Sequence, residues 1–90
     1  MSPVFHAEVT VMPKPEVADP QGQAIEQALG RLDVASGVTA THVRVGKVFS
    51  LSLEAQDRDA AQQALNALAD RILANPNIEA FECELKEAGR

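Results

Sequence analysis

The chain has no Trp, no Tyr, only three Phe and a single Cys in 90 residues. With aromatics at 3%, a core has to be assembled from Val, Ile, Leu and Ala around Phe5, Phe49 and Phe81. One thiol, Cys83, cannot close an internal disulfide, so an intracellular, cytoplasmic setting is expected. Positive charge is also scarce. Eight Lys and Arg against thirteen Asp and Glu leave a net charge of −5. Nucleic acid and anionic membrane surfaces both require a cationic face that displaces counterions, so neither is an expected partner. No apolar run approaches the roughly 20 residues that span a bilayer. Met1-Ser2-Pro3 leads directly into strand-like sequence, without the basic and apolar regions of a secretory signal.

What is present is a globular composition, 46% hydrophobic, in a length that allows one small domain over residues 1–90. A domain of this size hides a modest share of its surface, and association with a second copy is the economical way to complete its core.

Along residues 4–12, Phe5, Ala7, Val9 and Val11 alternate with His6, Glu8 and Thr10, the period-two signature of a half-buried strand. Pro13 and Pro15 then mark an extended connector. Asp19-Pro20 starts a helix: the Asp side chain can accept from free N–H groups of the first turn, and Pro gives up no bond there. Ile25, Ala28, Leu29 and Leu32 form its apolar stripe, and residues 33–40 read as a loop.

Residues 41–54 carry a second alternation, with Val43, Val45, Phe49, Leu51 and Leu53 on one face and Arg44, Ser50 and Ser52 on the other. Lys47 breaks that pattern directly after Gly46. A bend or bulge at Gly46 accounts for it, and so does a three-residue hairpin over Gly46-Lys47-Val48. One long bent strand is the reading preferred here. Asp57 or Asp59 caps a second helix whose stripe is Ala61, Ala64, Leu65, Leu68, Ala69, Ile72 and Leu73, ended by Asn75-Pro76. A last strand from Ile78 to Leu85 sets Phe81, Cys83 and Leu85 opposite Glu82 and Glu84, and a polar tail begins at about residue 86.

The expected fold is therefore α+β: a β-α-β-α-β two-layer sandwich with a small, mainly antiparallel sheet and two helices on one face, the sheet being extended by dimerisation. The other sheet face is expected to carry His6, Glu8, His42, Arg44, Glu82 and Glu84.

Candidate chemistry along this frame is thin. His6, His42 and Glu8 include metal-ligand types, but they sit in different segments without a tight spacing, and solvated histidines are the plainer account. Cys83 lies on an apolar strand face with no base beside it, as an inert buried thiol does. Glu82 and Glu84 share a face but no concavity, so pairing with Arg44 or another cation is preferred to acid–base work. The glycines match neither a dinucleotide-binding turn nor a phosphate loop, and no nucleophilic triad context is present.

Three ordered segments are more specific. They are Lys14-Pro15-Glu16-Val17-Ala18-Asp19-Pro20-Gln21-Gly22, then Val43-Arg44-Val45-Gly46-Lys47, then Leu73-Ala74-Asn75-Pro76-Asn77-Ile78-Glu79. In order and spacing the chain resembles the PurS family of small phosphoribosylformylglycinamidine synthase subunits, from Phe5 to about Leu85. It departs from the family pattern at Ala18, where Leu is usual, and at Val48-Phe49.

The resemblance implies a non-catalytic subunit of an ATP- and glutamine-dependent ligase in purine biosynthesis. It implies a homodimer or tetramer that bridges the synthetase subunit PurL and the glutaminase subunit PurQ. No cofactor, metal site or catalytic residue is expected on this chain, ATP and magnesium belonging to the synthetase subunit. By family analogy and by chemistry, Lys14, Asp19, Pro20, Gln21, Gly22, Arg44, Gly46 and Lys47 are the candidate partner contacts, although helix initiation alone also accounts for Asp19, Pro20 and Gly22. The competing reading is a small-molecule-sensing domain of the ACT type, and a split βαβ RNA-binding module is disfavoured by the charge of −5.

Overall fold

The computed structural model describes residues 3–31 and 37–86. Its elements run β1 (Val4–Pro13), α1 (Pro20–Arg31), β2 (Lys47–Glu54), α2 (Arg58–Leu68, prolonged by a π-helical turn over Ala69–Leu73) and β3 (Glu79–Lys86). Leu32, residues 33–36 of the expected loop and the tail from 87 lie outside the described residues.

The sheet is antiparallel throughout, in the order β2-β1-β3. Its centre is β1, where Phe5, Ala7, Val9 and Val11 are buried as their alternation requires. The strand continues through Pro13, further than the prolines suggest. That is tolerated because Pro13 is the last strand residue, where one missing N–H costs little. Opposite β1, the register places Ala7 beside Leu51 and Leu85, and Val9 beside Phe49 and Cys83. One face of all three strands is thus apolar.

Helix α2 covers that face. Asp57 caps it, accepting from Ala60 N at 2.8 Å, and Ala61, Leu65 and Ala69 are buried against the sheet. Its final turn departs from the expected stripe. Ala74 N donates to Ala69 O at 2.9 Å, an i→i+5 bond that widens the turn. The widening rotates Ile72 out, leaving it 72% exposed, while Leu73 is half-buried and Ala74 buried. Ala64 is exposed as well.

Three further expectations are corrected. Residues 41–46 are not strand: β2 begins at Lys47, so neither a long bent strand nor a hairpin at Gly46 is present. The reason is chemical, since the N–H groups of Val43 and Val45 donate to side chains of the first helix region instead of to a neighbouring strand. Secondly, the two helices do not share one face of the sheet. Helix α1 projects from it and makes at most marginal contact with any other element, and only Gly22 within it is buried. Thirdly, His42 and Arg44 are absent from the polar sheet face. That face pairs Glu8 across from Glu84 and Thr10 across from Glu82, with Lys86 Nζ 3.4 Å from Glu8, so the expected pairing of Glu82 or Glu84 with Arg44 does not form.

Candidate functional site

The connector 14–19 and the segment 43–47 meet at one buried carboxylate. Asp19 is only 8% exposed. Its Oδ1 accepts from Gly22 N at 3.0 Å, which caps α1, and its Oδ2 accepts from Val45 N at 2.8 Å. The Arg44 guanidinium sits 4.0 Å from the same oxygen and donates to the carbonyls of Lys14 and Val17, each at 2.8 Å. Those two carbonyls belong to a turn that Val17 N closes onto Lys14 O at 2.9 Å. Glu26, one turn into α1, accepts from Val43 N at 3.1 Å. Three segments, the connector 14–19, α1 and residues 43–45, are thereby fastened by one acid, one base and one further carboxylate.

The electrostatics follow the geometry. The Gly22 and Val45 N–H groups, in that order, hold the Asp19 carboxyl below its ordinary value; burial opposes them, and the Arg44 charge adds a smaller pull in the same direction. An ionised carboxylate accepting charge-assisted bonds is the stable state of such a clasp. No buried side-chain polar atom among the described residues is left without a partner.

The glycines have steric roles here. A Cβ on Gly22 would collide with Val43 O and with the Asp19 carboxylate. One on Gly46 would collide with Met12 Sδ and Val11 O. Both are close-approach positions, where the lack of a side chain lets two backbones meet.

Of the candidate contacts, Asp19, Gly22, Arg44 and Gly46 are therefore committed to internal bonding or packing. Pro20, Gln21 and Lys47 are exposed and Lys14 half-buried around the clasp. Lys47 Nζ lies 3.7 Å from Glu79 and 5.9 Å from the centre of the Phe49 ring. Glu79 in turn accepts from Asn75 N at 2.7 Å, which fixes the turn before β3. Val17, Pro20, Val45, Gly46 and Ile78 line an open groove between these groups. Sequence reasoning misses Glu26 and finds Glu79 only as the end of a family-like segment, because a carboxylate that bonds a backbone N–H outside any capping pattern leaves no spacing signal.

The other candidates are separate. His6 Nδ1 is 3.1 Å from Ser52 Oγ on the exposed sheet face, and His42 Nδ1 is 3.1 Å from Thr41 Oγ1 in the segment before β2. Burial pushes the Cys83 thiol up, away from nucleophilic use. Among the described residues, no three His, Cys, Asp or Glu side chains come together as metal ligands do. The bonds of the site hold backbone in place.

Comparison with known proteins agrees in family and in fold. The family model described as PurS, phosphoribosylformylglycinamidine (FGAM) synthase, matches residues 6–87. The PurS subunit of that synthase from Synechocystis is 39% identical over 85 residues, covering 94% of this chain and 82% of the relative. The crystal structure of the Thermotoga maritima purS subunit superposes with a TM-score of 0.83 at 27% identity, covering 94% of each chain. A chain in the T. maritima PurLQS structure superposes at 0.81 with 28% identity, covering 92% of this chain and 98% of that one.

Proposed function

Because the chain belongs to the PurS family, we propose that it is the small, non-catalytic subunit of phosphoribosylformylglycinamidine synthase, an ATP- and glutamine-dependent ligase of purine biosynthesis. In this role it associates with itself, with the synthetase subunit PurL and with the glutaminase subunit PurQ. The observation that carries the reading is the match over residues 6–87 together with the likeness to a chain within a PurLQS assembly.

The clasp fits an adaptor. Ammonia released from glutamine is mostly protonated at neutral pH and then non-nucleophilic, so a closed assembly between the two active sites raises the yield of the reactive neutral form. An adaptor needs a fixed surface, and the bonds of Asp19 and Arg44 fix one. Lys14, Pro20, Gln21 and Lys47 are the groups that meet a partner subunit, while Asp19, Gly22, Arg44 and Gly46 hold them in position. ATP and magnesium bind the synthetase subunit, and the assembly works in the cytoplasm. Among the described residues, no helix is long and apolar enough to cross a membrane.

Gel filtration of this chain with purified PurL and PurQ, in the presence of ATP, magnesium and glutamine, tests the reading. Co-elution in one complex is expected, and Lys47→Glu is expected to weaken it. Separate elution of the three chains at micromolar concentration contradicts it.

A further inference from the structure

The three segments that stand out in the sequence, 14–22, 43–47 and 73–79, are separated along the chain and meet at one place. Val17 and Pro20 of the first, Val45 and Gly46 of the second and Ile78 of the third wall an open groove of about 660 Å³. Its walls are fastened to one another. Val45 N donates to Asp19 at 2.8 Å, and Lys14 N donates to Ile78 O at 2.9 Å. Glu79 accepts from Asn75 N at 2.7 Å, so the turn that carries Ile78 is held as well. A groove tied by long-range bonds is formed before anything enters it, which spares an occupant the cost of ordering it.

The lining is mainly apolar, and Ile78 is left 45% exposed in it. The charges beside it have one sense. In the pair of Asp19 with Arg44 the acid's side chain is 9% exposed and the base's 31%. In the pair of Glu79 with Lys47 the values are 18% and 57%. Both times the acid is covered and the base faces outward. A chain of net charge −5 therefore presents positive charge at this groove.

We infer that the groove receives an acidic segment of a partner subunit, with a large aliphatic side chain against Val17, Val45 and Ile78 and a carboxylate at Lys47. The inference rests on the adaptor reading above and gives one of its contacts a place and a chemistry. Two observations select the occupant. The apolar lining calls for a hydrocarbon group, which a free anion lacks, and an anchor buried in a pocket of this kind concentrates binding energy. The outward cations call for negative charge. Lys47 has donors to spare, since its ammonium carries three N–H groups and has one carboxylate near it, at 3.7 Å. The acids of the groove are already engaged, Asp19 by two N–H groups and Glu79 by Asn75 N, so a basic occupant would find no open acceptor there.

The affinity of the full chain for purified PurL and PurQ, with ATP, magnesium and glutamine present, tests this. Ile78→Ser is expected to weaken binding about 10- to 100-fold while leaving the circular dichroism of the chain unchanged. Lys47→Glu is expected to weaken it more than Lys47→Gln does. Raising the ionic strength from about 0.05 to about 0.5 M is expected to weaken the parent more than Lys47→Gln. An affinity of Ile78→Ser within about twofold of the parent overturns the proposal. So does binding indifferent to both Lys47 variants and to salt, because the occupant is then not acidic. Dissociation of the chain's own oligomer by Ile78→Ser, read by sedimentation velocity, also overturns it, since a second copy then fills the groove. In each of these cases the parent still binds PurL and PurQ, and the adaptor reading stands. A parent that binds neither subunit at tens of micromolar removes both.

Discussion

The N–H of Val45 donates to the Asp19 carboxylate at 2.8 Å, joining residues 26 positions apart and tying the start of α1 to the segment that leads into β2. This one bond replaces a strand pairing. Where the alternation of Val43 and Val45 promises a continued strand, the backbone bonds a carboxylate instead. With the Glu26–Val43 bond, it ties α1 to residues 43–45.

Replacing Asp19 with Asn retains one acceptor for two N–H donors and turns an amide NH2 towards one of them. The variant should melt at a lower temperature than the parent, and the Val45 amide should lose protection in hydrogen exchange. Unchanged protection at Val45 would show that the bond does not hold the segment.

The same carboxyl sets an acid limit. Its pKa in the folded chain lies below the ordinary 3.8, so the stability it contributes is complete at neutral pH and fades as pH falls through the folded value. The difference in stability between the parent and Asp19→Asn should therefore be constant near pH 7 and shrink below about pH 4. Denaturant titrations at several pH values measure it, and a difference that persists unchanged at low pH contradicts the assignment.

Glycine substitutions separate close approach from mere flexibility. Gly22→Ala and Gly46→Ala each force backbone or a carboxylate aside, at a cost of roughly 1–3 kcal/mol. Gly30, whose added Cβ would have nothing within 4 Å, should behave oppositely, Gly30→Ala stabilising α1 by about 0.5–1 kcal/mol. Urea unfolding of the three variants gives the comparison.

Core and surface are distinguished on α2. Leu65 is fully buried, and Leu65→Ala should cost about 2–5 kcal/mol in any oligomeric state. Ile72 is 72% exposed, so Ile72→Ala should change the stability of the single chain by no more than about 0.5 kcal/mol. A large loss at Ile72 would place it in the core of the single chain.

Most of the architecture is legible in the amino-acid sequence. Period-two alternation in Phe5–Val11 and Phe81–Leu85, Asp-Pro at the first helix and Asn-Pro after the second are local signals, and with the Phe49–Leu53 alternation they locate three strands and two helices. Sequence reasoning fails where distant groups intervene. Val43 and Val45 continue the strand pattern, but Asp19 and Glu26 capture their N–H groups. Ile72 fits a 3.6-residue stripe, and an i→i+5 bond at Ala74 turns it outward. Family analogy and chemistry point to Asp19, Gly22, Arg44 and Gly46 as partner contacts, and in the folded chain Asp19 and Arg44 also fasten backbone while Gly22 and Gly46 allow close approach. The fastening depends on contacts across the chain that spacing cannot express. Lys47 stands out in the sequence as a misplaced cation, and its ion pair with Glu79 at the end of the sheet explains how it is accommodated.

The most direct measurement is formylglycinamidine ribonucleotide formation by purified PurL and PurQ with ATP and magnesium, with and without this chain, comparing glutamine with free ammonium as nitrogen source. The adaptor account predicts that glutamine-driven turnover needs the chain while ammonium-driven turnover largely does not. Glutamine-driven turnover that is the same with and without the chain would contradict it.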